Sequence, residues 1–557
     1  MKVQLNLMEK SWQRFNSIWI RGCVIHADKI LSLQELECLL KKTVINDRID
    51  VELLKATLRG IKGFFAIVWT LPAYTVLITD IVRTYPLFFL VSKDRFIIRD
   101  SLPTKIGLEE DVCSIIEFML TGFVSGFNTT WKNVFQVQAG EVVVLHHNSS
   151  EISRVCYNFF NPLHPKVIKG VYEEEEFISK LDYTLSLVTE RLVKYLNGRT
   201  AVVPLSGGWD SRTIILHLKR WGYPRVVAFS YGKEGNQESV IAAEVARQLG
   251  VEYVFMPYQV DDWRALSESS LYLDYLMYAH NSVSVPHIQD LLAIFQMVRR
   301  GIVVSGDAVV IPGHSADFVA GSHLCSDHGL IRNIEELVKA IFAKHYVLMP
   351  PQVAVSYILE FIKPNELEKL LYMVYKKIEK QIKSCYQEIG FVDPHALLDF
   401  WNWRERQAKF IVNSIRVYEY FDLDFWLPLW DVDFVKFWEN MPLEWRINRM
   451  FYHKYIVWLQ NQMAIDVPVS LSSKEKEFIK AFFRKIGLAD LFEKMWIFFV
   501  LKKREIMKEY IKEYDVHPLQ WYGVWNRDDF YVLASRVRSQ ININTLITID
   551  VFQKLYR

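Results

Sequence analysis

The chain has 557 residues, of which 51% are hydrophobic and 23% charged, a folding composition that is too long for one ordinary core. Its formal net charge of +2 gives no overall basic field, which argues against a nucleic-acid partner. None of the six cysteines forms a Cys-x-x-Cys pair and the N-terminus has no secretory signal, so we expect a cytoplasmic protein without a zinc site or disulfide framework.

The first 160 residues are predicted to be mostly β-structure. Short apolar runs alternate with turn signals, and a helix is predicted over residues 32–44. The apolar run at 63–78 is shorter than the roughly 20 residues that a membrane-spanning helix needs. Pro72 in its middle favours two buried strands joined by a turn. Prolines and a glycine between residues 158 and 172 break the periodicity and predict a domain boundary near residue 165.

Strands and helices alternate from residue 166 onwards. The elements predicted there are a helix over 173–196, a strand over 199–205, a helix over 210–222, a strand over 225–232, a helix over 238–250 and a strand over 251–258. The last two helices end at Gly222 and Gly250, where a helix C-cap favours glycine. This alternation predicts an α/β fold with a doubly wound parallel sheet, followed by a mainly helical part beyond about residue 325.

The stretch Leu-Ser-Gly-Gly-Trp-Asp-Ser (205–211) lies between the first of these strands and its helix. Gly207 and Gly208 allow backbone N–H groups to approach an anion, and the helix N-terminus adds a favourable dipole. Asp210 beside phosphates would be repulsive unless a divalent cation lay between them, so the stretch predicts Mg²⁺. The alternative is a tight turn with Asp210 as a helix cap. The complete Ser-Gly-Gly-x-Asp-Ser pattern in this position favours phosphate binding.

Ser-Gly-Gly-x-Asp-Ser is the pyrophosphate-loop signature of ATP pyrophosphatases, and nearly the whole chain resembles the asparagine synthetase family. The resemblance implies a degenerate Ntn-hydrolase-like αββα domain over residues 1–160 and an ATP pyrophosphatase domain over 166–557. It implies ATP and Mg²⁺ as cofactors, and a carboxylate that is adenylated with release of pyrophosphate. The nucleotide contacts that it implies are Leu205, Ser206, Gly207, Gly208, Asp210, Ser211, Tyr231 (against the adenine) and Gly313.

The stretch Pro-Gly-His-Ser-Ala-Asp-Phe (312–318) resembles a second loop of the family. Gly313 is then its ATP-contacting glycine, and Asp317 is a catalytic acid that shares the metal with Asp210. Residues 303–308 also resemble the start of that loop, but Phe-x-x-Gly follows Asp317 as it does in the family. The neighbouring His314 and His323 are expected to be polar loop residues or substrate contacts.

Two catalytic cations are implied by the same resemblance. Arg416 falls on a phosphate-binding cation, and Lys454 falls on the lysine that stabilises the adenylation transition state. A point charge suits a position where negative charge develops on the α-phosphate. In the stretch 424–431, Asp424 falls on the family's glutamate and Trp426 replaces its arginine. That departure makes free aspartate a doubtful substrate.

The glutaminase nucleophile of the family is missing. Glutamine-using members begin with a cysteine whose own amine acts as base, whereas residue 2 is lysine and the first cysteine is Cys23. Cys23 is either exposed by trimming a propeptide or, as its apolar surroundings favour, a core thiol. Ammonia is then expected to arrive free or from a separate amidotransferase. The nucleophile is otherwise an amine of the substrate, as in β-lactam synthetase and lasso-peptide macrolactam synthetases.

Two other interpretations stay open from the sequence. Ala316 (a glycine in the family), Trp426 and the missing cysteine favour a nucleotide-binding pseudoenzyme that acts as a regulator or assembly partner. Residues 474–514 mix lysines and aromatics at helical spacing, which would suit a membrane surface and a lipid-linked sugar acid. Other asparagine-synthetase-like proteins are associated with surface polysaccharide synthesis, so the carboxylate is expected on a small molecule or a glycan.

Overall fold

The computed structural model describes residues 1–8, 11–102, 107–149, 151–162, 174–324, 333–349, 366–389, 393–467 and 543–556, with a few isolated residues besides. Two mainly antiparallel sheets, with β-strands 2–6 and 95–99 paired in parallel, occupy its N-terminal part, and a parallel sheet with flanking helices occupies the rest. The chain is therefore a mixed α/β protein, as predicted.

The N-terminal strands are β1 Lys2–Asn6, β2 Gln13–Phe15, β3 Ile18–His26, β4 Lys29–Ile30, β5 Val44–Ile45, β6 Arg48–Ile49, β7 Ile61–Thr70, β8 Tyr74–Thr79, β9 Phe88–Val91, β10 Arg95–Arg99, β11 Val134–Gln136, β12 Glu141–His146 and β13 Ile152–Cys156. The helices among them are α1 Leu33–Lys41, α2 Val51–Arg59 and α3 Val112–Thr121. One sheet has the order β1-β10-β9-β11 and a second has β13-β12-β8-β7-β3-β2, with β4 beside β3.

Both faces of the second sheet are buried. Alternate residues of β7 point to opposite faces, so Ala66 and Val68 join the main core while Ile67 and Trp69 join a smaller one. Leu36 of α1 and Leu54 of α2 belong to that smaller core. The two helices therefore cover one face of this sheet, and the other face shares its core with residues of the first sheet such as Phe89.

The predicted hairpin around Pro72 is confirmed. β7 and β8 are antiparallel, and Thr70 pairs with Thr75 across the turn. Among the residues that the structure describes, none of the helices is long and apolar enough to cross a membrane.

Cys23 lies in the middle of β3, where it pairs with Phe64 of β7. Burial raises the pKa of its thiol to about 12. A cut before Cys23 would remove β1, β2 and the first half of β3, and with them two sheet edges that the fold uses. The residues before Cys23 are thus part of the fold, and Cys23 is half-buried and packs against the main core.

The C-terminal part begins with α4 Glu174–Leu196, β14 Thr200–Pro204, α5 Trp209–Trp221, β15 Val226–Gly232, α6 Gln237–Leu249 and β16 Glu252–Pro257. The sheet is completed by β17 Ala308–Val310 and β18 Asp424–Phe425. All five strands are parallel, in the order β16-β15-β14-β17-β18. Gly222 and Gly250 end their helices with φ of 79° and 59°, as predicted.

The order of the strands places the site. The chain runs outwards from β14 to β16 on one side and from β17 to β18 on the other, so it reverses between β14 and β17. Parallel sheets bind ligands at the carboxyl ends of the strands where such a reversal occurs. The loops that follow β14 and β17 are therefore where a ligand is expected.

The remaining helices pack around this sheet. They are α7 Val260–Ser267, α8 Ser270–His280, α9 Leu291–Arg299, α10 Ala316–Val319, α11 Ile334–His345, α12 Leu367–Ile389, α13 Pro394–Trp401, a π-helix Asn402–Ile411, 3₁₀ turns Val412–Ile415, Pro428–Trp430 and Ile447–Arg449, α14 Arg416–Tyr420, α15 Val432–Glu439, α16 Leu443–Arg446, α17 Met450–Gln462 and α18 Ile543–Leu555. The prediction of a mainly helical part is confirmed for these residues. The stretch 474–514 lies outside the described residues.

Candidate active site

The loop after β14 presents unsatisfied N–H groups at the start of α5. Gly208 is the N-cap residue of α5 and no side chain caps the helix, so first-turn N–H groups are available to an anion. The Ser206 hydroxyl instead accepts a hydrogen bond of 3.2 Å from Gly208 N–H, and the Ser211 hydroxyl accepts one of 3.2 Å from Ser206 N–H. Leu205 is anchored to β15 through the carbonyl of Phe229, at 2.8 Å. The loop is thereby held in shape around an open helix end.

The loop after β17 packs directly on this helix end. A side-chain carbon placed on Gly313 would lie 2.6 Å from the Ser211 backbone nitrogen and 3.0 Å from the Asp210 carbonyl carbon. Such contacts are too short for any residue except glycine. Gly313 therefore permits the close approach that brings residues 205–211 and 313–317 together, as the resemblance implied.

Asp210 and Asp317 meet at this junction. The Asp317 N–H donates a 3.0 Å hydrogen bond to Asp210 Oδ2. Burial and the neighbouring Asp317 carboxylate raise the pKa of Asp210 well above its usual value. Two close carboxylates in a desolvated setting favour either a proton or a cation between them. The pair therefore suits a divalent cation with oxygen ligands.

The fit to Mg²⁺ follows from the donor set. Mg²⁺ is bound in nucleotide enzymes by one or two carboxylates, with phosphate oxygens and water as the other ligands. Within the described ranges, no group of three or more His, Cys, Asp or Glu side chains is arranged to hold a metal. Asp210 and Asp317 would accordingly share the ion with a bound phosphate rather than enclose it.

Two arginines that the sequence analysis did not select lie beside this pair. Arg449 places its guanidinium 4.5 Å from the centre of the Trp209 ring, and its charge acts to lower the pKa of Asp210. Arg406, in the π-helix, is within electrostatic reach of Asp317: burial lowers its pKa, and the Asp317 carboxylate acts in the opposite direction. One arginine is therefore within electrostatic reach of each carboxylate of the pair.

The backbone around Arg449 is strained in a way that aims its side chain. Asn448 and Arg449 have φ of 55° and 60°, a left-handed conformation that costs roughly 1–2 kcal/mol per residue other than glycine. Strain of this kind concentrates at functional sites. Two consecutive left-handed residues turn the chain into α17 and bring Arg449 over Trp209.

The two cations expected from the resemblance lie elsewhere. The Lys454 ammonium is 2.6 Å from Glu174 Oε2, and its side chain is 55% exposed. Tyr452, on the same helix, instead faces α5, where its hydroxyl is 2.9 Å from that of Thr213. Because consecutive helical residues are about 100° apart, Lys454 points to nearly the opposite side from Tyr452. The structure does not bring Lys454 to the carboxylate pair.

Arg416 is a contact between the two parts of the chain. Its guanidinium donates to the Thr84 carbonyl of the N-terminal part and pairs with Glu419. Glu419 in turn pairs with Arg21 of β3 at 2.8 Å. Arg416 is only 3% exposed, so these buried partners hold it and it is not presented to phosphate. The expectation that it binds phosphate is replaced by a structural role.

Tyr231 is the next-to-last residue of β15 and stacks on Tyr258, with ring centres 5.3 Å apart and planes at 17°. Its position at the carboxyl end of the strand next to β14 is compatible with an adenine contact, which stays a prediction. His323 stacks on Phe318 at 4.7 Å and contacts Asp399. His314 lies against Ser414, at 3.0 Å. His323 is therefore a core residue, whereas His314 belongs to the loop of Gly313.

The segment 424–431, which contains β18 and departs from the family, also packs internally. Trp426 stacks on Tyr195 with ring centres 4.3 Å apart, and Asp424 pairs with Arg199. Asp431 accepts hydrogen bonds of 2.8 and 2.7 Å from Arg191. These side chains join α4 to the sheet, and the structure does not bring them to the carboxylate pair.

A glycine substitution tests the junction of the two loops. Gly313→Ala is expected to lower affinity for pyrophosphate with Mg²⁺ at least tenfold, because the added carbon would push the loops apart, and to lower the free energy of unfolding by about 1–3 kcal/mol. Gly222→Ala is the control: its φ of 79° makes alanine costly, but nothing lies within 4 Å of the added carbon. The control should lose stability and keep its affinity. Unchanged affinity in Gly313→Ala, measured by calorimetric titration, would contradict this packing.

Comparison with known proteins supports the nucleotide loop. Residues 200–288 match the family model described as Queuosine biosynthesis protein QueC. A search of curated protein sequences finds no match to this chain. The matched range contains β14, the Ser-Gly-Gly-Trp-Asp-Ser stretch and Tyr231.

Three solved structures are similar over part of the chain. The allosteric regulatory enzyme of purine biosynthesis is 12% identical over 43% of this chain and 60% of that chain, with a TM-score of 0.18. The NH3-dependent NAD synthetase from Campylobacter jejuni is 14% identical over 40% of this chain and 99% of that chain, with a TM-score of 0.19. The glutamine phosphoribosylpyrophosphate amidotransferase from B. subtilis is 11% identical over 60% of this chain and 70% of that chain, with a TM-score of 0.18. The chain thus spans 60% of the length of the first. The fold rests on the sheet order of this chain itself, and the similarity to the QueC family model is confined to residues 200–288.

Proposed function

We propose that this protein is an ATP-dependent carbon–nitrogen ligase of the asparagine-synthetase-like type. It adenylates a substrate carboxylate, releases pyrophosphate and transfers the acyl group to ammonia or an amine. The observation that carries the proposal is the pair Asp210–Asp317, held at the open N-terminus of α5 with a 3.0 Å hydrogen bond between them. An anion site and a carboxylate pair at one point suit a metal-bound nucleotide.

Each group of residues at the site has its own role in the first step. Backbone N–H groups in the first turn of α5 bind the phosphates that leave, and Asp210 and Asp317 would hold Mg²⁺, which would neutralise phosphate charge. Arg449 and Arg406 stabilise the charge that develops as the carboxylate attacks the α-phosphorus and pyrophosphate departs. The rings of Trp209 and Tyr452 exclude water from this side of the loop, which protects the acyl adenylate.

In the second step nitrogen replaces AMP. The neutral amine nitrogen forms a bond to the acyl carbon and the bond to the AMP oxygen breaks, so AMP leaves with the electron pair and one proton of the nitrogen passes to the departing AMP phosphate. The protein itself is proposed to supply no ammonia. Lys2 of β1 pairs with Arg95 of β10, and β1 is an edge strand of the first sheet.

The absence of glutaminase chemistry gives a simple test. Cys23→Ala is expected to leave ammonium-dependent turnover within about twofold of wild type, because the thiol is a packed side chain of β3. Neither protein should release glutamate from glutamine, and the intact mass should retain residues 1–22. Glutamate release that is lost in Cys23→Ala would overturn this part of the proposal.

The direct experiment is ATP–pyrophosphate exchange with labelled pyrophosphate. It should depend on a carboxylate, which a panel of amino acids, sugar acids and peptides can identify. A substrate that carries both carboxylate and amine would indicate a macrolactam or β-lactam type of synthetase. The second candidate, a nucleotide-binding pseudoenzyme, is favoured by the position of Lys454 away from the site. It predicts ATP binding without exchange for any carboxylate.

A further inference from the structure

A second polar cluster lies beside the candidate active site, and we call it the His287 cleft. It consists of His287, Asp290, His314, Ser414 and Tyr418. His314 directly follows Gly313, which packs on Asp210 and Ser211. The cleft is therefore next to the point where the acyl group would be activated.

The side chains of the cleft are held in place from several elements. His287 Nε2 is 3.4 Å from Asp290 Oδ1, which is longer than a normal hydrogen bond. The Tyr418 hydroxyl of α14 donates a 2.9 Å hydrogen bond to the other oxygen, Asp290 Oδ2. Ser414 contacts His314 Nε2 at 3.0 Å. One oxygen of Asp290 is thus fixed by Tyr418, and the other, Oδ1, lies next to His287 without a normal hydrogen bond.

The cleft is accessible although it is desolvated. The His287 side chain is 31% exposed, whereas that of Asp290 is 4% exposed. Burial nevertheless lowers the pKa of His287 to about 4. His287 is therefore partly exposed, and Asp290, 3.4 Å from its ring nitrogen, is buried beside it.

The free positions in the cleft are hydrogen-bond acceptors. In the described part of the chain, Asp290 Oδ1 and His314 Nδ1 are buried and have no hydrogen-bond partner. The Ser414 hydroxyl gives its one hydrogen to the Ile411 carbonyl, at 2.7 Å, so His314 must donate to it from Nε2. That tautomer leaves His314 Nδ1 as an acceptor.

Unpaired acceptors select the chemistry of a ligand. A buried acceptor without a partner destabilises the fold, and a ligand rich in N–H donors would remove that cost. Burial lowers the pKa of His314 to about 3 and raises that of Asp290 to about 7. Near pH 8 the cleft therefore contains neutral imidazoles and one carboxylate. A small cation that donates hydrogen bonds fits it, and an anion does not.

We propose that the His287 cleft binds the nitrogen substrate in its protonated form, as ammonium or a primary ammonium group, through hydrogen bonds to Asp290 Oδ1 and His314 Nδ1. Its proton passes to the Asp290 carboxylate before the neutral amine attacks. The place of this site in the reaction rests on the proposed ligase function. The binding itself does not, because it follows from the acceptors of the cleft.

The first test is thermal unfolding of the whole protein at pH 8 with about 100 mM methylammonium chloride. The melting midpoint of wild type should be about 1–2 °C higher than in the same concentration of tetramethylammonium chloride, which has no N–H donor. This shift is the gain expected when methylammonium is present at about ten times its Kd. Asp290→Asn, whose amide oxygen still accepts from Tyr418, should lose the gain, as should His314→Leu. Tyr418→Phe keeps the free oxygen and should retain it. No gain in wild type, or an equal gain in Asp290→Asn, would overturn the proposal.

The second test separates the nucleophile from the nucleotide, whose adenine also carries an amino group. With a carboxylate that supports exchange, Asp290→Asn should keep ATP–pyrophosphate exchange within about threefold and raise the KM for ammonium at least tenfold. A raised KM for ATP with an unchanged KM for ammonium would assign the cleft to adenine and overturn the proposal. A methylammonium gain without exchange for any carboxylate would support the binding site and reject the ligase function.

Discussion

Asp210→Asn is expected to lower the rate of ATP–pyrophosphate exchange at least about 10²-fold and to stabilise the protein free of nucleotide. Activity falls because the variant loses one of two carboxylates that would hold Mg²⁺ at the phosphates. Stability rises because burial and Asp317 raise the pKa of Asp210. The measurements are exchange rates and melting midpoints without nucleotide or divalent cation.

The pH dependence has a definite sign. An acid whose pKa is higher in the folded state than in the unfolded one favours the protonated form, so its ionisation opposes folding. The free wild-type protein should lose stability as the pH rises from the unfolded value, about 4, towards the raised value of Asp210. Asp210→Asn lacks this loss, so its midpoint should exceed that of wild type at pH 8.

Asp433→Asn is the matched control, because the sign is reversed there. Burial acts to raise the pKa of Asp433, but hydrogen bonds and charge from Lys62 and Arg191 outweigh it and lower the pKa. The control should lose stability at neutral pH and keep its exchange activity. An Asp210→Asn protein that exchanges normally, or that is less stable than wild type at pH 8, would contradict the description of the carboxylate pair.

Arg449→Met is expected to lower exchange by about 10²-fold, and Lys454→Met should leave it within about twofold. Arg449 is the cation over Trp209 that acts on Asp210, and removing charge stabilisation of a transition state typically has an effect of this size. Lys454 pairs with Glu174 on the surface, and exposed pairs contribute little. Both variants lose one positive charge and keep a long side chain.

These two substitutions distinguish the cation that the structure indicates, Arg449, from the one that the family resemblance implies, Lys454. If Lys454→Met were the inactive variant, the lysine would reach the phosphates in a different arrangement of α17, and the assignment to Arg449 would be wrong. Steady-state exchange at saturating ATP separates the two results, provided that circular dichroism shows both proteins to be folded.

The sheet and its central loop were predictable because their signals are local. Apolar runs of strand length alternate with helical periodicity between residues 199 and 258, and glycines stand at the turns. Gly313 and Asp317 could be placed by resemblance because the close contact of Gly313 with Ser211 tolerates no other residue. Where the backbone itself imposes the residue type, the sequence carries the information.

The cations were not predictable in the same way. Counting along an ungapped helix gives a position but not the direction of the side chain, and Lys454 lies nearly opposite to the face of α17 that contacts α5. Arg449 depends on two left-handed residues that the sequence does not announce, since neither is glycine. The two arginines at positions 446 and 449, just before an apolar helix, were the sequence feature from which a cation at the site could have been predicted.

The most direct test of the central claim is calorimetric titration of the wild-type protein with pyrophosphate, with and without Mg²⁺. It needs no knowledge of the carboxylate. If the loop after β14 and the pair Asp210–Asp317 form a metal-dependent pyrophosphate site, binding should require Mg²⁺ and should be lost in Asp317→Asn. Binding of equal strength without Mg²⁺, or in Asp317→Asn, would contradict it.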